Sequence, residues 1–320
     1  MTAEQIYRVT VPDELAGERL DKALASIWPA FSRSRLQGWM RNGALLVDGE
    51  RPAQRTAVRG GELVELTLTP EPEVSLAPQA ISLDVVYEDE DLLVINKPVG
   101  LVVHPGAGNP SGTLQNALLH YAPEVESVPR AGLIHRLDKD TSGLLVVARS
   151  ERAHTALTAA MQARKIEREY CAIVCGVLTA GGRVDAPVGR HPRDRKRMTV
   201  RSSARPAVTH YRVIERFRRH TYVRLKLETG RTHQIRVHMQ HLNHPLVGDP
   251  VYGGRLQLPP GAGESLREAL RHFRRQALHA RRLALLHPVS GESLSWKAPL
   301  PADMQTLLAV LREDAQTHDG

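Results

Sequence analysis

Between residues 81 and 320 many apolar runs of strand length alternate with only a few helical patterns. That imbalance limits the folds open to the chain more than any other feature. The runs are LDVVYEDEDLLVINKP, GLLVVAR, EYCAIVCGVL, VTHYRVIERF, TYVRLKLETG and RRLALLHPV, each bounded by turn residues or charge, as buried strands are. The helical patterns are TLQNALLHY, ERAHTALTAAMQARK and THQIRVHMQHLN. A regular βαβ repeat needs a helix after almost every strand, so a mixed sheet of α+β class is expected instead. GGRLQLPPGAGES reads as a loop, and the chain has no internal repeat.

Ahead of this lies a smaller unit. In ERLDKALASIW, Leu20, Ala23, Leu24 and Ile27 share one helical face. SRSRLQGWMRNG follows as a second helix, with Ser32 or Ser34 as its cap, Gly43 as its stop, and Arg33, Arg35 and Arg41 along it. ALLVDGERP reads as a strand entering an Asp48-Gly49 hairpin turn, and GGELVELTL as an alternating closing strand. The order of these elements, and the string SRSRLQGWMRNGALLVDG above all, resembles an S4 RNA-binding domain. TPEPEVSLAPQA, at 69–80, is a Pro-rich acidic linker. Two domains are therefore expected, 1–75 including the linker and 76–320.

Charge narrows the partner. The net charge is +8, yet residues 190–236 hold fifteen Lys or Arg against Asp194, Glu215 and Glu228, so the rest of the chain is net acidic. Such segregation points to a surface that tracks phosphates, with Arg193, Arg195 and Arg197 of HPRDRKRM as a basic loop. Two cysteines, Cys171 and Cys175, make no disulfide framework and fit a reducing cytoplasm. They share a strand face with Ile173 and read as core thiols, since no second pair completes a tetrahedral metal set. MTAEQIYRVTVPDE lacks the pattern of a signal peptide, and no run is long enough for a membrane span.

Several kinds of chemistry find no support. HPGAGNPSG has neither the Lys-Ser/Thr ending of a phosphate loop nor a dinucleotide fingerprint. His233, His238, His241 and His244 are crowded enough to suggest a metal, but Arg231 and Arg236 among them would repel a cation. No serine sits in a nucleophile elbow. One arrangement stands out: GLIHRLDKDTSGLLVVAR sets His135, Arg136, Asp138, Lys139 and Asp140 directly against a buried strand. A solvated turn and an active site at a strand edge both fit that pattern.

The same string resembles the catalytic motif of the RluA-type pseudouridine synthases. EDLLVINKPVGLVVHPGAG resembles their N-terminal strand motif, and LETGRTHQIRVHMQHLNHPLVGDPVYGG their arginine motif. QALHARRLALLHPVSG and WKAPLP are similar to their closing segments. The resemblance implies an isomerase that detaches uracil from ribose, rotates it and rejoins it through carbon, with no cofactor and no metal. It implies Asp138 as the reacting carboxylate, whose attack at C1′, attack at C6 or abstraction of a ribose proton all stay open. Arg236 would be its ion-pair partner and Tyr170 the tyrosine against the flipped base. Arg136 would fill the gap that uridine leaves, and Arg231 would join Arg33, Arg35, Arg41, Arg193, Arg195 and Arg197 in RNA contact. Asp140, before Thr141-Ser142-Gly143, reads as a turn residue.

The implied partner is large-subunit (23S) rRNA, free or in a pre-ribosomal particle, with several neighbouring uridines of one domain IV stem-loop as targets. Neither DNA nor membrane is expected, and a monomer is the default. The competing reading is a non-enzymatic S4-type ribosome assembly factor, against which Asp138, Tyr170 and Arg236 all stand intact.

Overall fold

The structure is a computed structural model, and it describes residues 5–318 apart from 30, 32, 54, 69–75, 107 and 195. Ser32, the side chain of Ser34, Arg195 and the first part of the expected linker therefore lie outside the described residues. The chain divides into two compact units, Met1–Ser75 and Leu76–Gly320.

The small unit runs β1 (Gln5–Thr10), α1 (Leu20–Ile27), α2 (Arg33–Asn42), β2 (Leu45–Val47) and β3 (Leu63–Leu68), with an antiparallel sheet ordered β1-β3-β2. The apolar face of α1 buries Leu20, Ala23 and Leu24 against Leu36, Leu45 and Leu66. Asp48 and Gly49 both take positive φ (49° and 80°), which suits the mirror-image turn favoured by Asp-Gly. The turn closes only the Val47–Glu50 bridge; β2 then pairs with β3, across an irregular stretch that includes Pro52. The edge strand β1 was not apparent in the sequence, because its short alternation QIYRVT has no turn signal before it.

The large unit comprises β4 (Val85–Glu88), β5 (Leu92–Lys97), α3 (Leu114–Tyr121), β6 (Ser142–Ala148), α4 (Glu151–Gln162), β7 (Glu167–Cys175) and β8 (Gly182–Asp185). It continues with β9 (Val188–Arg190), β10 (Met198–Val200), β11 (Val208–Arg216), β12 (His220–Leu227) and α5 (Gln234–His241). The last elements are α6 (Glu264–His272), β13 (Leu278–Leu286), β14 (Ser293–Lys297) and α7 (Ala302–His318). The main sheet is mixed, as expected, in the order β4-β5-β6-β13-β7-β12-β11-β8, with β14 also on β13. Among the described residues its only parallel strand pairing is β6 with β13, through His279–Ser142 and Ala280–Gly143. Beyond Ala280, β13 leaves β6 and pairs with β14 from Arg282 onward, so the sheet forks there. Gly143 makes the fork possible: its φ is +111°, and an added Cβ would lie 2.2 Å from the Ala280 carbonyl oxygen.

Several cores pack against the sheet, among them one with Leu92, Leu144, Val146 and Leu157, and two larger ones. Of the larger two, one joins Leu93, Leu118, Leu145, Tyr170 and Leu225; the other packs Cys171, Ile173 and Cys175 under α6 and α7. Both cysteines are free and buried, and burial pushes the Cys175 thiol up to about 11. The stretch read as a loop before Glu264 ends in α6, and α7 adds a helix at the end of the chain. Among the described residues, no helix is long and apolar enough to cross a membrane.

Candidate active site

Asp138 sits in the loop that enters β6, and that loop is held by its backbone. The buried Lys97 ammonium, at the end of β5, donates to the carbonyls of Lys139 (2.9 Å), Pro98 (2.7 Å) and Leu101 (2.9 Å). The Gly100 N–H reaches the same Lys139 carbonyl, Arg275 donates to the Asp140 carbonyl, and Gln276 to the Thr141 hydroxyl. Thr141 N–H closes a tight turn onto the Asp138 carbonyl at 3.0 Å. Burial pulls Lys97 down to about 8, against the opposing pull of the Asp140 and Asp138 charges. Asp140 is thus the turn residue its sequence suggested, and its carboxylate serves the field around Lys97.

Arg236, buried on the first turns of α5, gives Asp138 one hydrogen bond, from Nη1 to Oδ2 at 3.1 Å. Its stronger engagement is elsewhere. Nε and Nη2 form a two-pronged contact with Asp249, at 2.7 and 2.9 Å, and the Asp249 side chain is wholly buried. Asp249 also accepts from the backbone N–H groups of Val251 and Tyr252. Although burial opposes the charge, hydrogen bonds and fields from both carboxylates push the Arg236 pKa up from its usual value. The expected pair is therefore a chain, Asp138–Arg236–Asp249.

Gln234 fixes the approach to α5. Its carbonyl oxygen accepts from the Thr229 hydroxyl and the Arg231 N–H, while its amide donates to the Val208 carbonyl and the Thr209 hydroxyl. His233 heads the helix with left-handed backbone, φ 55°. The Tyr252 hydroxyl accepts from the Met198 N–H at 2.8 Å, so its own proton can go to His233 Nδ1 at 2.9 Å. That leaves the Nε2–H of His233 facing Asp138 Oδ1 at 3.9 Å. Burial lowers the His233 pKa, which keeps the ring neutral.

These groups surround a cleft of about 550 Å³. Asp138, Tyr170, Arg236, Arg136 and Arg231 all line it, so these five expected residues converge, while Arg193 and Arg197 do not line it. Tyr170 faces it from β7, 5% exposed, and burial raises its pKa. Arg136 is exposed at its rim, and Arg231 is tied by Nε to the Pro206 carbonyl. The basic loop departs from expectation. Arg193 is exposed, but the Arg197 guanidinium lies over the Tyr252 ring at 5.5 Å and is not a free surface charge. Nor is residues 190–236 one basic face: Arg224 and Lys226 pair with Glu169 and Glu167 of β7, and Arg218 with Asp314 of α7. Strand pairing brings acids from distant sequence onto these bases.

His238 is structural, its ring nitrogens taken by the Thr209 hydroxyl and the Ala186 carbonyl, and His244 bonds the Cys175 carbonyl. Among the described residues, no group of His, Cys, Asp and Glu is placed to hold a metal ion. In the small unit, Arg33 braces α2 to the buried Asp21 of α1 at 2.9 Å, beside Gln37 and Arg19. Burial alone would raise the Asp21 carboxyl, yet those partners bring it down to about 2. Arg35 stacks over Trp39 at 5.0 Å, and Arg41 is exposed. Sequence reading missed Lys97, Asp249, Tyr252 and Arg168. All four carried a signal: Lys97 lies within EDLLVINKPVGLVVHPGAG, Asp249 and Tyr252 lie within LETGRTHQIRVHMQHLNHPLVGDPVYGG, and Arg168 stands two residues before Tyr170 on the same strand face.

A carboxylate bonded to a buried arginine, beside the fork between β6 and β13 of a mixed sheet, thus shares one cleft with a buried tyrosine. The chain belongs to the RNA pseudouridylate synthase family, whose profile matches residues 91–241. It is similar over nearly its whole length to curated relatives with one shared name. Ribosomal large subunit pseudouridine synthase D of Xanthomonas campestris pv. campestris is 57% identical over 97% of this chain and 94% of that one. The proteins of the same name from Escherichia coli K12 and Pseudomonas aeruginosa are 55% and 54% identical, each over 97% of this chain, covering 95% and 97% of their own lengths. Among solved structures, human RNA Pseudouridylate Synthase Domain Containing 4 superposes with a TM-score of 0.56 at 29% identity, over 71% of this chain and 92% of that one.

Proposed function

We propose that this isomerase acts on large-subunit rRNA in the cytoplasm, converting several neighbouring uridines of one domain IV stem-loop to pseudouridine. The observation that carries the reading is the Asp138 carboxylate, pinned at the mouth of β6 inside the cleft and bonded to Arg236. In the reaction the N1–C1′ bond breaks, the base turns, and a C5–C1′ bond forms while the C5 proton leaves and N1 takes one up. Atoms balance without water or redox change.

Each residue has a part in that sequence. A base must leave its stack to reach Asp138, and Arg136 at the rim takes its place. Tyr170 supplies the apolar wall against the extruded base. Arg236, through its Nη1 hydrogen bond, holds the Asp138 carboxylate in place and complements its charge. Arg231 at the cleft and Arg193 outside it contact phosphates, as do Arg35 and Arg41 of the small unit, which acts as an S4-like RNA-binding domain. The substrate is free rRNA or an assembling subunit, and the protein works as a monomer.

The test is to incubate purified protein with large-subunit rRNA in EDTA and map pseudouridine chemically. Asp138→Asn should lower the single-turnover rate by more than about 10³-fold with RNA affinity nearly intact, since it removes the reacting carboxylate at constant shape. Asp140→Asn should cost less than about tenfold, because Arg275 holds that residue through its carbonyl. Turnover by Asp138→Asn, or equal loss in both variants, would overturn these assignments.

A further inference from the structure

The wall of the cleft contains a cation with no ion-pair partner among the described residues. Arg168, on β7, is 8% exposed, and its Nε is sealed from solvent with no hydrogen-bond partner among the described residues. The carboxylates around it are committed elsewhere: Glu167 to Lys226 and Arg282, Glu169 to Arg224, Glu228 to His210 and Arg164, Asp138 to Arg236. A buried unpaired charge is expensive, so a chain that keeps one here has a use for it. Arg168 shares its strand face with Tyr170, and both line the cleft.

A second orphan lies in the same cleft. His135 accepts the Val146 N–H at Nε2, 3.3 Å away, which puts the ring proton on Nδ1. That Nδ1 is buried and has no partner. Burial, and then the Arg168 charge, bring the ring down to about 3, so His135 is a neutral donor. Glycine at 230 leaves room for the guanidinium, since a Cβ there would stand 2.7 Å from Arg168 Nη1.

We propose that Arg168, beside the neutral ring of His135, forms an anion subsite whose guanidinium receives a backbone phosphate adjoining the extruded uridine. The proposal rests on reading the cleft as the uridine pocket, and it names the part of the substrate that the wall recognises. Uracil has polar carbonyls but no charge, and it would leave the guanidinium uncompensated. A phosphate supplies the charge and the paired oxygens that a guanidinium binds best. The ion pair would thus form only when RNA is bound, which links binding energy to correct seating of the nucleotide.

The test uses the full chain and a synthetic domain IV stem-loop that the wild-type protein modifies. Single methylphosphonate linkages, which are neutral, are placed one at a time around the target uridine. One of them should lower the wild-type kcat/KM by about 10- to 100-fold, the span of a charge-assisted bond. Arg168→Met should show a similar loss on native RNA and no added loss at that linkage. Without RNA its melting temperature should equal or exceed the wild type's, because an unpaired buried charge has gone; a purely structural arginine would give the reverse. Arg168→Lys keeps the charge and should keep the linkage dependence, which preserves the test if the methionine variant folds poorly. Additive losses at every linkage, or a lowered melting temperature with unchanged kinetics, would sink the subsite. Failure of the wild-type protein to modify any rRNA stem-loop would instead remove the function on which it rests.

Discussion

Arg236 makes two of its hydrogen bonds to Asp249 and one to Asp138, and that division decides what each residue does. Asp249 fixes the guanidinium plane; Asp138 receives the Nη1 that is left. Asp249, wholly buried behind that guanidinium, is on the proposed reading a positioning residue. Asp249→Asn would keep the side-chain shape but turn an N–H donor toward a guanidinium that offers only donors. The expected cost is about 3 kcal/mol of stability, near the range for breaking a buried pair. The single-turnover rate at saturating RNA should fall with it, because Asp138 loses its fixed partner. Urea unfolding and one rate measurement check both, and a variant with wild-type stability and rate would remove Asp249 from the chain of contacts. Residues 138 and 236 were legible because whole motifs carry them. Asp249 lies in the same motif as Arg236, thirteen positions on with a turn between, but no periodicity announces a contact that forms only through the folded loop.

At the scale of elements, the strands that hold the site could be read from their apolar runs, and the three helical patterns became α3, α4 and α5. Elements that run past the site were harder to see. The terminal helix α7 buries Met304, Leu307, Leu308 and Leu311 at helical spacing, a signal present in the sequence but overlooked beside the Pro-rich WKAPLP. Strands β8 to β10 are three or four residues long, too short for alternation to register. The β6–β13 fork was invisible for another reason: a single parallel contact between segments far apart leaves no local pattern. Yet the fork sets where Asp138 stands. Gly143→Ala would press a methyl group into the Ala280 carbonyl and force an unfavourable positive φ, both at the first residues of β6. A loss of about 2–4 kcal/mol is expected, with activity reduced even in the fraction that folds. A thermal melt and a rate per folded molecule measure this; unchanged values for both would mean that β6 and β13 can shift without moving the carboxylate.

For the whole molecule, acid should separate the two units. The large unit buries His220 and His279, each 1% exposed and each with a ring nitrogen that lacks a partner. Burial brings both pKa values down from 6.5 to about 4. The folded unit thus binds fewer protons than the unfolded chain across that interval, so its stability is full above about pH 6.5 and falls as pH drops toward 4. These two alone give a slope approaching about 2.7 kcal/mol per pH unit, and His135, brought down to about 3, adds to it; together they can exhaust an ordinary domain's stability within the interval. Residues 1–75 contain no histidine. Their buried ionisable group, Asp21, has its carboxyl lowered from 3.8 to about 2, so its contribution survives until pH falls below about 4. The large unit should therefore unfold first on acidification, near pH 5, with the small unit still folded. The three tryptophans divide to report this: Trp28 and Trp39 pack on the small core, and Trp296 lies 5.1 Å from Tyr87 in the large unit. Fluorescence of Trp296→Phe then follows the small unit, and that of the Trp28→Phe/Trp39→Phe double variant the large one. His220→Gln with His279→Gln should flatten the slope for the large unit alone. Coincident acid transitions for the two reporters, or an unchanged slope in the histidine double variant, would mean that carboxylate protonation, not histidine burial, governs acid unfolding.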